Sequence, residues 1–245
     1  MKRFYKDTGT DEAEGGYRVV LDGRPVRTPA KSVLVVPTRA LGEAIAAEWR
    51  DVPEKEDLQP SQLLLTRLAA SGLDRVPAQR ERVIGDTAKY AASDLLCYRA
   101  PDPASLVERQ HRTWQPLLDW AAERYGARLL PTAGTTFLDQ PPDAVAQLRA
   151  AVAAHGDLAL SALFNLTHIS GSLIIALAVS EQRLSAADAF TAAQLDEIFQ
   201  IERWGEDPIA AQRHAGIRKD IEAGTRFLAL LEDKRLKTGR LKAGA

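Results

Sequence analysis

The chain has 245 residues, 45% apolar and 27% charged, which is enough for one large domain or two small ones around a real core. Thirty-two basic side chains against thirty-three acidic ones leave a net charge of -1, without the basic excess of a dedicated nucleic-acid binder. No stretch reaches the roughly 20 apolar residues of a membrane span, and the single Cys97 excludes an intramolecular disulfide and a cysteine zinc cluster.

The strand signals come first. "RFYK" (Arg3–Lys6) is a candidate outer strand. "GYRVVLDGRPVRTP" (Gly16–Pro29) alternates polar and apolar residues around Asp22-Gly23, a dipeptide suited to the positive φ angles of a tight hairpin turn. Pro25 lacks an N–H, so the second strand is expected at an edge or a bulge. "SVLVVP" (Ser32–Pro37) predicts a third strand stopped by its proline. Thr38 is then placed as the N-cap of "RALGEAIAAEWR", whose Leu41, Ile45 and Trp49 share one helical face.

From about Gln59 onward the signals are helical. "SQLLLTRLAASGLDRV" reads as a helix broken or ended near Gly72. "PAQRERVIGDTAKYAASDLLCYR" reads as one helix from Pro77 to Arg99. After "PDP" (Pro101–Pro103), "ASLVERQHRTWQPLLDWAAERYG" forms another, with a kink expected at Pro116. "ARLLPTAGTTFLDQPP" is irregular. The remaining helices are "DAVAQLRAAVAAHG", "LALSALFNLTHISGSLIIALAVS", "SAADAFTAAQLDEIFQIERWG" and "DPIAAQRHAGIRKDIEAGTRFLALLE". "SLIIALAV" (Ser172–Val179) should be buried, and the basic end "DKRLKTGRLKAGA" reads as a frayed tail.

The composition shifts between residues 55 and 80. The expected fold class is therefore α+β: a small antiparallel β-rich domain over 1–76, followed by a larger all-helical bundle over 77–245.

The search for chemistry finds little. His111, His155, His168 and His214 have no i, i+4 pairing and no H-E-x-x-H spacing, so neither a metal nor a cofactor is expected. Nucleophile-elbow, Walker A and dinucleotide-binding motifs are missing from the sequence. "ISGSL" (Ile169–Leu173) reads as small residues at a close helix contact, and Cys97 as core packing.

The informative stretch is "LDEIFQIERWGEDP" (Leu195–Pro208). On a helical wheel of about 100° per residue that starts at Phe190, the apolar residues spread over roughly 220°. Asp196 and Arg203 fall on the polar side. Glu197 falls between Trp204 and Phe190, and Glu202 between Ile198 and Leu195, inside the apolar arc, where a carboxylate is costly unless paired. Three readings stand. The glutamates pair with arginines such as Arg67, Arg99 or Arg112; or the helix leaves an apolar face open for a partner carrying a basic group; or they serve a hydrolase or a small-molecule pocket.

The order of local motifs resembles the family of F-type ATP synthase assembly chaperones that handle the alpha subunit of the catalytic head, comprising mitochondrial ATP synthase assembly factor 2 and its bacterial relatives. The matching pieces are "RFYK" at Arg3–Lys6 and "VVLDGRPVRTPAKSVLVVPTRALGEAIAAEW" at Val19–Trp49. They continue with "LLLTRLAASGLDRV" at Leu63–Val76, "YAASDLLCYRA" at Tyr90–Ala100, "WQPLLDWA" at Trp114–Ala121 and "DEIFQIERWGED" at Asp196–Asp207.

The resemblance implies a two-part protein that binds newly made alpha subunit without turnover, keeping it from aggregating until beta subunit displaces it. Glu197, Glu202, Trp204, Glu206 and Asp207 are the candidates for the partner surface, with Gly205 ending the helix in a left-handed cap. Asp94, Tyr98 and Arg99 are further candidates or else brace the helices. "MKRFYKD" shows neither a signal core nor a presequence, which points to a bacterial cytoplasm, with a mature mitochondrial protein as the alternative. A monomer is expected.

Overall fold

The structure is a computed structural model and describes residues 2–54, 57–134 and 136–231. The expected tail beyond Glu232 lies outside them. The α+β class holds: a small antiparallel sheet comes first and helices follow.

Strand β1 (Thr8–Ala13) pairs antiparallel with β2 (Gly16–Leu21), in register from Thr8↔Leu21 to Ala13↔Gly16. β2 also pairs with β3 (Arg24–Pro25) and β4 (Val35–Val36), so it is the hub of the sheet. Asp22 and Gly23 take φ of 47° and 75°, the double positive φ of the expected hairpin turn. The Asp22 carboxylate accepts from the N–H of Asp7 (2.8 Å) and of Lys6 (3.0 Å). These bonds hold its pKa below the ordinary carboxylate value.

The outer strand is β1 rather than "RFYK". There Arg3 donates to the carbonyls of Tyr5, Lys6, Arg50 and Val52 and ties the N-terminal segment to the end of a helix. That helix is α1 (Arg39–Arg50), capped as expected by Thr38, whose side chain accepts from the Leu41 N–H at 3.2 Å. Leu41, Ile45 and Trp49 are buried.

The Glu48 carboxylate accepts from the N–H groups of Leu65 (2.6 Å) and Thr66 (2.9 Å), capping α2 (Leu64–Ala70) from a distance in sequence. No break follows at Gly72. A π-helical turn (Ser71–Arg75) carries α2 directly into α3 (Val76–Ala78).

The helix expected to reach Arg99 instead ends early. After α4 (Arg80–Ala88) come two short 3-10 turns, Lys89–Ala92 and Leu95–Cys97, then strand β5 (Tyr98–Arg99). Asp94 caps the second of these turns. Fully buried, its carboxylate accepts from the Leu96 N–H and the Ile174 N–H, both at 3.1 Å. A short polar side chain that bonds nearby backbone competes with helix continuation.

β5 pairs in parallel with β6 (Thr132–Ala133), beyond α5 (Ala104–Tyr125), which carries Pro116 inside it. Then come α6 (Pro142–Ala153), α7 (Asp157–Ser170), α8 (Leu173–Ser180), α9 (Ala186–Ala193), α10 (Leu195–Trp204) and α11 (Pro208–Leu231). Two helices expected to be continuous are therefore each divided. Gly171 takes a left-handed φ of 69° and Ser172 caps the Ile175 N–H, separating α7 from α8. Gln194, at φ -112° and ψ 21°, separates α9 from α10. As expected, Leu173–Val179 is buried throughout.

The described residues form two compact units, 2–78 with 226–231, and 79–225. The last turns of α11 thus belong with the sheet rather than with the helical domain assigned from sequence. Phe227 is buried, and the Leu230 carbonyl accepts from Thr38 Oγ1 at 2.5 Å. No helix among the described residues is long and apolar enough to cross a membrane.

Burial raises the Asp94 pKa from 3.8 to about 6 despite its hydrogen bonds. The native state then binds more protons than the unfolded chain between those values, so this group's contribution to stability falls as pH rises through that window. Urea unfolding at several pH values should show this slope in the native chain and lose it in Asp94→Asn. Asp94→Ala, which leaves two buried N–H groups without their acceptor, should cost about 3 kcal/mol.

Candidate functional site

The carboxylate-rich stretch begins with the break at Gln194. The new helix α10 starts with Asp196 and Glu197 in its first turn, where negative charge complements the helix dipole. Leu195 and Phe199, four residues apart, are its buried anchors. The break also changes the helical-wheel relation. Phe190 lies on α9, so Glu197 does not sit between Trp204 and Phe190 on one continuous surface.

Three polar contacts fasten α10 to α5. Gln110, fully buried, accepts from the Ala100 N–H (2.8 Å) and donates to Asp196 Oδ1 (2.8 Å). Arg109 holds Glu202 with both terminal guanidinium nitrogens, Nη1 to Oε2 at 2.6 Å and Nη2 to Oε1 at 3.0 Å. Arg203 donates to Ser105 Oγ at 3.1 Å and lies over the Phe199 ring, 4.3 Å from its centroid. Asp196 is therefore part of the fastening rather than of a free polar face.

The two glutamates that looked anomalous find partners in this chain, though not the arginines expected. Glu202 pairs with Arg109, and this bond holds its pKa below the usual value. Glu197 lies 3.9 Å from Arg213 of α11. Neither is buried in the way the wheel implied. They lean toward arginines on different helices and do not converge on a common pocket. The reading of Glu197 and Glu202 as a hydrolase pair therefore loses its geometry.

After Trp204 the chain turns at Gly205. Its φ of 85° is positive, as expected, but its ψ of 167° is extended, so the exit is not a left-handed cap. Only glycine occupies that region comfortably. Glu206 then meets His214 Nδ1 at 3.1 Å. Asp207 caps α11, its Oδ1 accepting from the N–H groups of Ile209 (2.8 Å) and Ala210 (3.0 Å), with Pro208 as the first helical residue.

Two of the exposed residues around this turn are large and apolar. Trp204 is 76% exposed and Ile209 81% exposed, one on either side of the turn. Among the described residues, Trp204 makes no ring contact and its indole N–H no hydrogen bond. Ile209 and Arg109 were not singled out from the sequence. The Asp-Pro start of α11 was a usable signal for Ile209, because it fixes where the next side chain leaves the helix. Nothing local announced Arg109, 93 residues from its partner.

The remaining candidates brace the interior. Asp94 is buried and joins the Leu95–Cys97 turn to α8. Arg99 donates to the Leu96 carbonyl at 2.8 Å and lies 5.4 Å from the centroid of the Trp114 ring. Tyr98 is half-buried in β5. Cys97 is buried, and desolvation pushes its thiol up to about 12, which suits packing rather than nucleophilic chemistry. No group of three or more His, Cys, Asp or Glu side chains able to hold a metal occurs among the described residues. "ISGSL" is the turn and cap between α7 and α8.

Comparison with known proteins identifies the family. The family described as "ATP12 chaperone protein" matches residues 2–122. The crystal structure of Atp12 from Paracoccus denitrificans is 40% identical, with a TM-score of 0.85 over 94% of this chain and 98% of that one. A solved structure from Agrobacterium tumefaciens is also 40% identical, with a TM-score of 0.87 over 94% of this chain and 86% of the other. The mitochondrial protein atp12 of Schizosaccharomyces pombe is 23% identical over 216 residues, 84% of this chain and 74% of its own. The chain belongs to the ATP12 chaperone family.

The site makes a sharp distinction between framework and surface. Phe199→Ala should lower unfolding free energy by about 3 kcal/mol, the cost of a core cavity. Trp204→Ala should change it by no more than about 0.5 kcal/mol. Urea denaturation of the two variants measures both.

Proposed function

We propose that this protein is a holding chaperone of ATP synthase assembly that binds the unassembled alpha subunit of the catalytic head and releases it to the beta subunit. The observation that carries this reading is the exposed pair Trp204 and Ile209, held outward by a turn whose polar groups are already engaged. Membership of a chaperone family supports it.

The physical logic is that of a temporary cover. A ring subunit without its neighbours exposes apolar interface, which associates wrongly if left in water. A cover needs apolar anchors, among which tryptophan is over-represented at binding hot spots, and a polar surround that aligns it. Glu197, Glu206 and Asp207 flank the two anchors and give the surface an acidic margin that favours a basic edge on the partner. Glu202 contributes by fixing the helix end. Asp94 and Arg99 act from the interior. Release needs no nucleotide, because a competitor with higher affinity for the same interface displaces the cover by mass action.

Isolated alpha subunit that aggregates on dilution should stay soluble at an equimolar ratio of this protein. Trp204→Ala with Ile209→Ala should weaken that protection at least tenfold while leaving the melting temperature unchanged. Equal protection by wild type and double variant would remove the turn from the binding surface. No protection by wild type would remove the proposed function.

A further inference from the structure

The first unit contains a concavity that the α10–α11 turn does not use. It has a volume of about 530 Å³ and lies beside the β2–β3 hairpin. That size is within the range of about 300–1,000 Å³ typical of ligand sites. Leu21 and Val26 of the hairpin form part of its lining, and Phe4, Tyr5 and Trp49 form an aromatic wall.

Phe4 is the open ring of this wall, while Tyr5 and Trp49 are only 5% and 8% exposed. Tyr5 and Trp49 have their polar ends engaged: the Tyr5 hydroxyl donates to the Trp49 carbonyl at 2.6 Å, and Trp49 Nε1 donates to Thr66 Oγ1 at 3.1 Å. The three rings form an edge-to-face series, with centroids 5.3 Å apart for Phe4–Tyr5 and 5.6 Å for Tyr5–Trp49. Phe4, at the outer end, is 64% exposed. An aromatic ring so placed gains from a partner that removes it from water.

The charge of the lining is unbalanced. Its one carboxylate, Asp22, already accepts two backbone N–H groups. Its two guanidinium groups, Arg24 and Arg27, are on exposed side chains. Arg27 donates to the Lys31 carbonyl at 2.7 Å. The Arg24 guanidinium makes no hydrogen bond or close ion pair among the described residues and acts on Asp22 through its charge alone. No helix N-terminus enters the lining, so the cradle of backbone N–H groups that phosphates favour is not built here. Flexible cations above an aromatic wall match a carboxylate carried beside an apolar side chain.

We infer that this cavity binds an extended segment of a partner polypeptide, a bulky apolar residue followed at once by Asp or Glu. The apolar side chain lies against Phe4, Tyr5 and Trp49, and the carboxylate meets Arg24 or Arg27. This contact is separate from the Trp204–Ile209 turn and needs no assumption about it.

The test is a titration of the 15N-labelled full chain with a blocked octapeptide, acetyl-Ser-Gly-Leu-Phe-Glu-Asp-Gly-Ser-amide. Amide and indole shifts should move at Tyr5, Val26 and Trp49. Arg24→Glu with Arg27→Glu should weaken binding at least tenfold, and Phe4→Ala about fivefold. Replacing the two acidic peptide residues by lysine should have the effect of the charge reversal. Should the reversed variant fold poorly, the milder Arg24→Gln with Arg27→Gln should still weaken binding measurably. Trp204→Ala should leave the titration unchanged, so the outcome is independent of capture of the alpha subunit. Shifts confined to other residues, no shifts at all, equal affinity for the lysine peptide, or displacement of the peptide by ATP would each overturn the assignment.

Discussion

The grip of Arg109 on Glu202 decides what the end of α10 can offer a partner. A bidentate guanidinium–carboxylate pair fixes direction as well as distance, and here it acts together with Gln110–Asp196 and Ser105–Arg203 along one face of α5. Exposed pairs add little to stability, so its value lies in orientation. Once α10 is held in this way, Leu195 and Phe199 point into the core and Trp204 points out. Asp207 then restarts the chain as α11 and leaves Ile209 beside it. The acidic residues prepare an apolar surface; they are not themselves the unusual feature.

The same device recurs in the framework. Glu48 caps α2 from α1, and Asp94 joins a 3-10 turn to the start of α8. In both cases a carboxylate removed from water satisfies backbone N–H groups that a helix start leaves open. Burial raises the pKa of each, the cost of using a charge for this purpose. Such residues resemble functional ones in sequence, because an acid among apolar neighbours attracts notice whichever role it has. Asp94 shows how the two are told apart: every group it meets belongs to its own unit.

What the sequence revealed followed from the range of the forces involved. The Asp22-Gly23 hairpin, the Thr38 cap, the face of Leu41, Ile45 and Trp49, and the buried Leu173–Val179 helix were legible because neighbours within four residues determine them. β1 was not, since "TGTDEA" is a half-exposed edge without apolar alternation and its pairing comes from β2. The breaks at Asp94 and Gln194 were also hidden; Asp94 bonds the Ile174 N–H, 80 residues along the chain. The break at Gln194 mattered most, because a wheel drawn through it placed Glu197 beside Phe190, which lies on another helix. The family resemblance was visible all along, spread over motifs none of which is diagnostic alone. The candidate surface was half legible: Trp204 stood out, Ile209 did not.

The central claim is that the turn between α10 and α11 touches the captured subunit. The most direct measurement places a photo-crosslinking benzoylphenylalanine at position 204 and irradiates the protein with unassembled alpha subunit. The account predicts a crosslinked product containing both chains, lost when beta subunit is added in excess. Crosslinking from an exposed control position such as His111, with none from position 204, would contradict it.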